Sequence, residues 1–91
     1  MIETKVKITN KHGLHARPAA KLVQLASKFA SDITILKDGL EVNGKSIMGV
    51  MMLAAEPGSE IVLRIEGEDE KQASEALLNL IRNGFDEEEN D

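Results

Sequence analysis

The 91-residue chain contains no cysteine, tryptophan or tyrosine and two phenylalanines. Without cysteine there is no disulfide framework, no thiolate nucleophile and no thiolate-ligated metal, which suits a reducing compartment. With so few aromatics, the stacking platforms that hold single-stranded nucleic acid are missing. An excess of positive charge is missing too, because 11 Lys+Arg stand against 16 Asp+Glu for a formal net charge of −5. Neutralising a phosphate backbone needs net or clustered basic charge, so nucleic-acid binding is not expected. No apolar run approaches the ~18 residues of a membrane span, and no signal-peptide pattern opens the chain. We therefore expect a cytoplasmic protein with no membrane insertion.

The chain is long enough for one two-layer core that needs neither disulfides nor metal. Asp86-Glu87-Glu88-Glu89-Asn90-Asp91 holds five of the acids, which leaves the body balanced at 11 acids against 11 bases. Residues 1–85 are expected to form a single domain and 86–91 a solvated acidic tail.

Ile2, Thr4, Val6 and Ile8 alternate with charged residues, the period of a strand with one buried face. Thr9-Asn10-Lys11-His12-Gly13-Leu14 breaks the alternation with turn formers. Ala19, Leu22, Val23, Ala26 and Ala30 then recur at helical spacing, with Lys21, Gln24 and Lys28 outward, predicting a helix that ends near Phe29 to Ser31. Asp32 to Lys37 and Leu40 to Val42 read as strands joined by Asp38-Gly39, a type I′ hairpin signal. After a turn at Asn43-Gly44-Lys45, Ser46 offers an N-cap to a short apolar helix over Ile47 to Ala55, stopped by Pro57-Gly58. Glu60 to Glu66 alternates as a fourth strand. Asp69-Glu70-Lys71-Gln72 resembles a capping box and opens a helix that buries Ala73, Ala76, Leu77, Leu80 and Ile81 before Asn83-Gly84 ends it. The order β-α-β-β-α-β-α predicts an α+β open-faced two-layer sandwich, a four-stranded antiparallel sheet with three helices on one face.

Pro18 fixes where the first helix starts, because proline is tolerated in the first turn and costly further inside. His15 thus falls at the N-cap, a place that usually takes Ser, Thr, Asp or Asn. Backbone N–H groups and the positive end of the helix dipole disfavour a protonated imidazole there, so a neutral, nucleophilic ring is expected near pH 7. A phosphoryl group on that ring would meet the amides of Ala16 and Arg17 as an anion cradle, with the Arg17 guanidinium in reach. By itself, an exposed histidine at a helix start is ordinarily a surface residue. His12 is read as incidental, and no spacing here suggests a metal site.

Gly13-Leu14-His15-Ala16-Arg17-Pro18-Ala19 and Gly44-Lys45-Ser46-Ile47-Met48-Gly49-Val50-Met51 strongly resemble the two signature segments of HPr, the histidine-containing phosphocarrier family of the bacterial phosphoenolpyruvate:sugar phosphotransferase system. The resemblance covers essentially the whole chain, including Asp38-Gly39 and Pro57-Gly58-Ser59-Glu60. It implies an HPr-like fold and a carrier that is not an enzyme and uses no cofactor. His15 would accept a phosphoryl group on Nδ1 from phosphorylated enzyme I, which draws it from phosphoenolpyruvate, and pass it to the IIA units of sugar permeases. Arg17 would steady the group in both transfers. The resemblance also implies that Ser46 is phosphorylated by an HPr kinase/phosphorylase, giving a regulatory species able to engage a transcriptional regulator.

One surface must dock successive partners, and Ala16, Ala20, Ile47, Met48 and Met51 are the residues expected to form it, methionine being adaptable to partners of different shape. Val50 and Met52 are assigned to the core, and the protein is expected to be a monomer. Gln24, Ser27 and Gly49 stand where the family often has basic residues, leaving Lys21, Lys28 and Lys45. Three other readings remain open at this point. A nitrogen-related carrier of the NPr type has the same histidine loop. A regulatory binding protein would be switched at Ser46 alone, and a ferredoxin-like ligand sensor would leave Gly13 to Pro18 unexplained.

Overall fold

A computed structural model describes residues 1–86. The expected acidic tail lies outside the described residues from Glu87 onward. The strands are β1 (Ile2–Lys7), β2 (Asp32–Lys37), β3 (Leu40–Asn43) and β4 (Glu60–Glu66), and the helices are α1 (Ala16–Ala26), α2 (Ile47–Met52) and α3 (Glu70–Arg82). The sheet order is β1-β4-β2-β3, antiparallel throughout, with Val6 opposite Ile61 and Ile35 between Leu63 and Val42. This register puts the alternate apolar residues Ile33, Ile35, Ile61, Leu63 and Ile65 on one face, where all are buried. Ala19, Leu22 and Ala26 of α1 and Ala73, Leu77 and Ile81 of α3 pack into the same core. The opposite face carries charge, and Arg64 reaches Glu41 at 2.9 Å and Glu3 at 3.7 Å across it. Such exposed ion pairs add little stability.

The hairpin turn has Asp38 at φ 50° and Gly39 at φ 84°, the positive pair that a type I′ turn requires. The first helix stops earlier than expected, with Ser27 as C-cap, and Ala30 is exposed rather than part of the buried stripe. The cause lies elsewhere in the chain. Asp69 is the N-cap residue of α3, yet its side chain makes no capping bond. Its carboxylate accepts instead from the amides of Ala30 (2.8 Å) and Ser31 (2.9 Å) and from the Ser31 hydroxyl. The expected capping box therefore does not form; the acid pins the α1–β2 connection to the start of α3. The Ser31 hydroxyl, followed by the Ala30 amide, holds the Asp69 carboxyl below the usual carboxylate range. Glu70 reaches back to the Gly67 amide at 3.2 Å, and that bond together with the nearby N-terminal ammonium lowers its carboxyl too.

Asn83 and Gly84 close α3, with Gly84 at φ 63°, as the sequence predicts. The turn over Gly84–Asp86 then carries Phe85 to 0% exposure. Burying a side chain of that size contributes on the order of 2–3 kcal/mol. The Lys21 ammonium fixes it further by donating to the Phe85 carbonyl at 2.7 Å, so a lysine expected on the outer face of α1 tethers the C-terminal turn.

Candidate functional site

The end of β1 is held by a strap formed from the residues after α2. The amide of Ile8 donates to the Ser59 carbonyl at 2.8 Å, and the amide of Gly58 donates to Ile8 at 2.7 Å. The loop that follows is built around Asn10, a buried residue whose Nδ2 donates to the Gly13 carbonyl at 2.8 Å. Leu14 drops into the core, and its amide donates to Ala55 on the strap at 2.9 Å. Gly13 lies at φ 70°, and a Cβ there would overlap the Ala55 carbonyl oxygen and stand 3.1 Å from the Cα of Glu56. Glycine is thus demanded twice, by its backbone angle and by the closeness of the strap. With Leu14 buried on one side, His15 is turned outward.

His15 occupies the N-cap of α1 in extended geometry (φ −80°, ψ −172°), and its side chain makes no capping hydrogen bond. Its carbonyl accepts from Ala19 at 2.9 Å, which opens the helical ladder. Pro18 is the third helical residue and has no N–H to orphan, so the amides without an acceptor inside the helix are those of Ala16 and Arg17. His15, Ala16 and Arg17 are all exposed. The structure thus places an imidazole, two backbone donors outside the helical ladder and a guanidinium in one exposed turn, a set of groups suited to an anion. The His12 ring stands edge to face with His15, centroids 5.6 Å apart and planes at 82°. An i, i+3 spacing in a loop does not by itself fix whether two rings meet, so only the fold shows that His12, read as incidental from sequence, lies against His15. Among the described residues no group of three potential metal-binding side chains occurs.

Ser46 caps α2, its Oγ accepting from the Gly49 amide at 3.1 Å, as the sequence predicts. The helix is shorter than expected because Leu53 caps it and Ala54 takes φ 48°, a left-handed angle that ends the spiral. Val50 is fully buried, but Met52, assigned to the core from sequence, is 67% exposed. The reason is angular: two residues on from Val50 is about 200° round the helix, the side away from the core. Met52 joins Ile47, Met48 and Met51 in an exposed apolar group, with Met48 at 75% exposure. α2 packs against α1, Ala20 is half-buried, and no helix among the described residues is long and apolar enough to cross a membrane.

A family profile described as the PTS HPr component phosphorylation site matches residues 2–83, nearly the whole chain. The chain belongs to the HPr family. The phosphocarrier protein HPr of Xylella fastidiosa is 56% identical over 88 residues, covering 97% of this chain and 99% of the relative. A crystal structure of HPr from Thermoanaerobacter tengcongensis superposes with a TM-score of 0.93 at 52% identity, over 97% of this chain and 99% of that one. Crh of Bacillus subtilis, described as a domain-swapped dimer, is 48% identical over 92% of this chain and 97% of its own, with a TM-score of 0.74. The sheet and helices are those of HPr structures, and the chain is a phosphotransferase-system phosphocarrier by family.

Proposed function

We propose that this HPr-family chain accepts a phosphoryl group on His15 from phosphorylated enzyme I, supplied ultimately by phosphoenolpyruvate, and delivers it to IIA components of permeases. The observation that carries this reading is the exposed His15 at the N-cap of α1, in extended geometry and making no side-chain capping bond, with Ala16 and Arg17 in the first turn beside it. A ring nitrogen, Nδ1 by family resemblance, uses its lone pair to form the N–P bond as the donor's bond to phosphorus breaks. The proton on the other ring nitrogen passes to water. The amides and Arg17 then hold the phosphoryl oxygens, strongly enough to keep the group in place and openly enough for a second partner to take it. A deep pocket would retain the group; an exposed helix end hands it on.

Docking falls to Ala16 and Ala20 on α1 and Ile47, Met48 and Met51 on α2, with exposed Met52 extending the patch. Both transfers use this one face, and enzyme I and IIA are the partners. The carrier works in the cytoplasm. The monomer expected from sequence is unsupported, since a dimer occurs among the relatives. Phosphorylation of Ser46 by an HPr kinase would set a doubly charged group at the head of α2 beside that apolar face, weakening enzyme I docking and favouring a transcriptional regulator as partner. The fold would be retained.

The test is a phosphoryl relay with enzyme I, phosphoenolpyruvate and a panel of sugar and nitrogen IIA proteins. Label must reach a sugar IIA through this chain and fail to do so without it. Preferential transfer to a nitrogen IIA would move the assignment to the NPr branch, and no transfer to any IIA would leave only a regulatory binding role.

A further inference from the structure

The chain has four methionines and no cysteine, tryptophan or tyrosine, so its readily oxidised side chains are thioethers. None of them is buried. Met1, Met48, Met51 and Met52 are all exposed, while the hydrophobic core consists of Ile, Leu, Val, Ala and Phe. Met1 stands at the start of β1, where its ammonium meets Glu70 of α3 at 3.1 Å. The other three share α2. Their spacing of i, i+3 and i+4 brings the side chains together on one face of the helix, away from the buried Val50. Sulfur is thus concentrated where partners dock and absent from where the fold is held.

We propose that Met48, Met51 and Met52 form an oxidant-modification site: a peroxide converts them to sulfoxides, which blocks partner docking while the fold and His15 stay competent. This rests on the assignment of α2 to the docking surface. In each reaction a sulfur lone pair attacks one peroxide oxygen, and the O–O bond breaks. The transferred oxygen stays on sulfur, which is oxidised, and its proton joins the departing hydroxide as water, the reduced product. Exposure decides which thioethers react, and with no cysteine in the chain no thiol competes for the oxidant. The product is a polar group on a surface that has to be desolvated. A sulfoxide buried at an interface without a hydrogen-bond partner weakens association by about tenfold or more. Inside a core the same change would disrupt packing, but here the thioethers project into solvent and the core is spared. The transfer chemistry is spared as well, because His15 and Arg17 belong to the head of α1. Sulfoxide reductases return methionine sulfoxide to the thioether, so the block is reversible.

The experiment treats the whole chain with hydrogen peroxide and maps the oxidised residues by peptide mass spectrometry. Transfer from phosphorylated enzyme I is measured against carrier concentration, alongside acceptance from phosphoramidate, a small donor that needs no docking. The expected result is one oxygen on each of Met48, Met51 and Met52 and an unchanged unfolding midpoint. KM for transfer from enzyme I should rise by about tenfold or more with kcat little changed, and acceptance from phosphoramidate should be unaltered. Methionine sulfoxide reductase should restore the original KM. A chain carrying Met48→Leu, Met51→Leu and Met52→Leu, compared with itself before and after peroxide, should show no rise although Met1 still oxidises. An unmoved KM in the chain oxidised at all three positions, or the same rise in the leucine chain, overturns the proposal and leaves the carrier assignment standing. Loss of the fold on oxidation does the same. An untreated chain that takes phosphate from neither donor overturns the carrier assignment, and the proposal with it.

Discussion

Replacing Gly13 by alanine tests how the phosphoryl-accepting loop is held. The new methyl group would have to occupy the space of the Ala55 carbonyl oxygen, a backbone atom that cannot rotate away. The residue would also have to keep φ 70°. The left-handed angle costs an L-residue roughly 1–2 kcal/mol. Moving the strap out of contact breaks the hydrogen bond from Leu14 to Ala55, worth about 1 kcal/mol. Together the loss is about 2–3 kcal/mol, which lowers the urea midpoint by roughly 2 M for a small protein whose denaturant slope is near 1 kcal/mol/M. Because His15 is two residues from the displaced point, phosphoryl acceptance should fall as well. Equilibrium unfolding in urea measures the first effect and a single-turnover transfer the second. A variant within about 0.5 kcal/mol of the parent, the scatter of ordinary surface changes, would refute the contact between loop and strap.

Three further outcomes follow from the same structure. Ala54→Gly removes the cost of φ 48° at a residue with a Cβ and should raise stability by up to about 1 kcal/mol in urea; a loss would mean that Ala54 is not held there. Phe85→Ala empties a fully buried site and should cost about 3–5 kcal/mol, with a lower Tm showing that the C-terminal turn belongs to the core. For Asp69→Asn the sign comes from the lowered carboxyl: the native acid stabilises the fold above its unfolded titration range and loses that contribution as pH falls through the depressed folded value. Thermal unfolding of variant and parent should therefore differ at pH 7 and converge in strong acid; a constant difference at every pH would contradict the Asp69 contacts with Ala30 and Ser31.

The strands, hairpin and helix order were legible because each has a local signature. Alternation in β1 and β4, the Asp38-Gly39 pair and the Asn83-Gly84 stop all act within a few residues. Pro18 likewise placed His15 at the N-cap from sequence alone, and Ser46 caps α2 by the usual serine contact. What escaped is tertiary. Asp69 and Gln72 have capping-box spacing, yet two amides and a hydroxyl from a distant connection compete for the same carboxylate and win. Met52 sits in an apolar run that does not reveal its own inward face, so the exposed patch came out one residue too small. Lys21 finds a carbonyl 64 positions away, which no local pattern announces. His12 was passed over because only the folded loop brings its ring against His15.

The most direct test of the central claim is the site of phosphorylation itself. The chain is incubated with enzyme I, magnesium and phosphoenolpyruvate, and the phosphorylated residue is mapped by phosphorus NMR and acid-free peptide analysis. One acid-labile phosphoryl group is expected, on His15, and none in His15→Ala, which should keep the parent's fold because the replaced side chain is exposed. A His15→Ala chain phosphorylated to the same extent as the parent would contradict it.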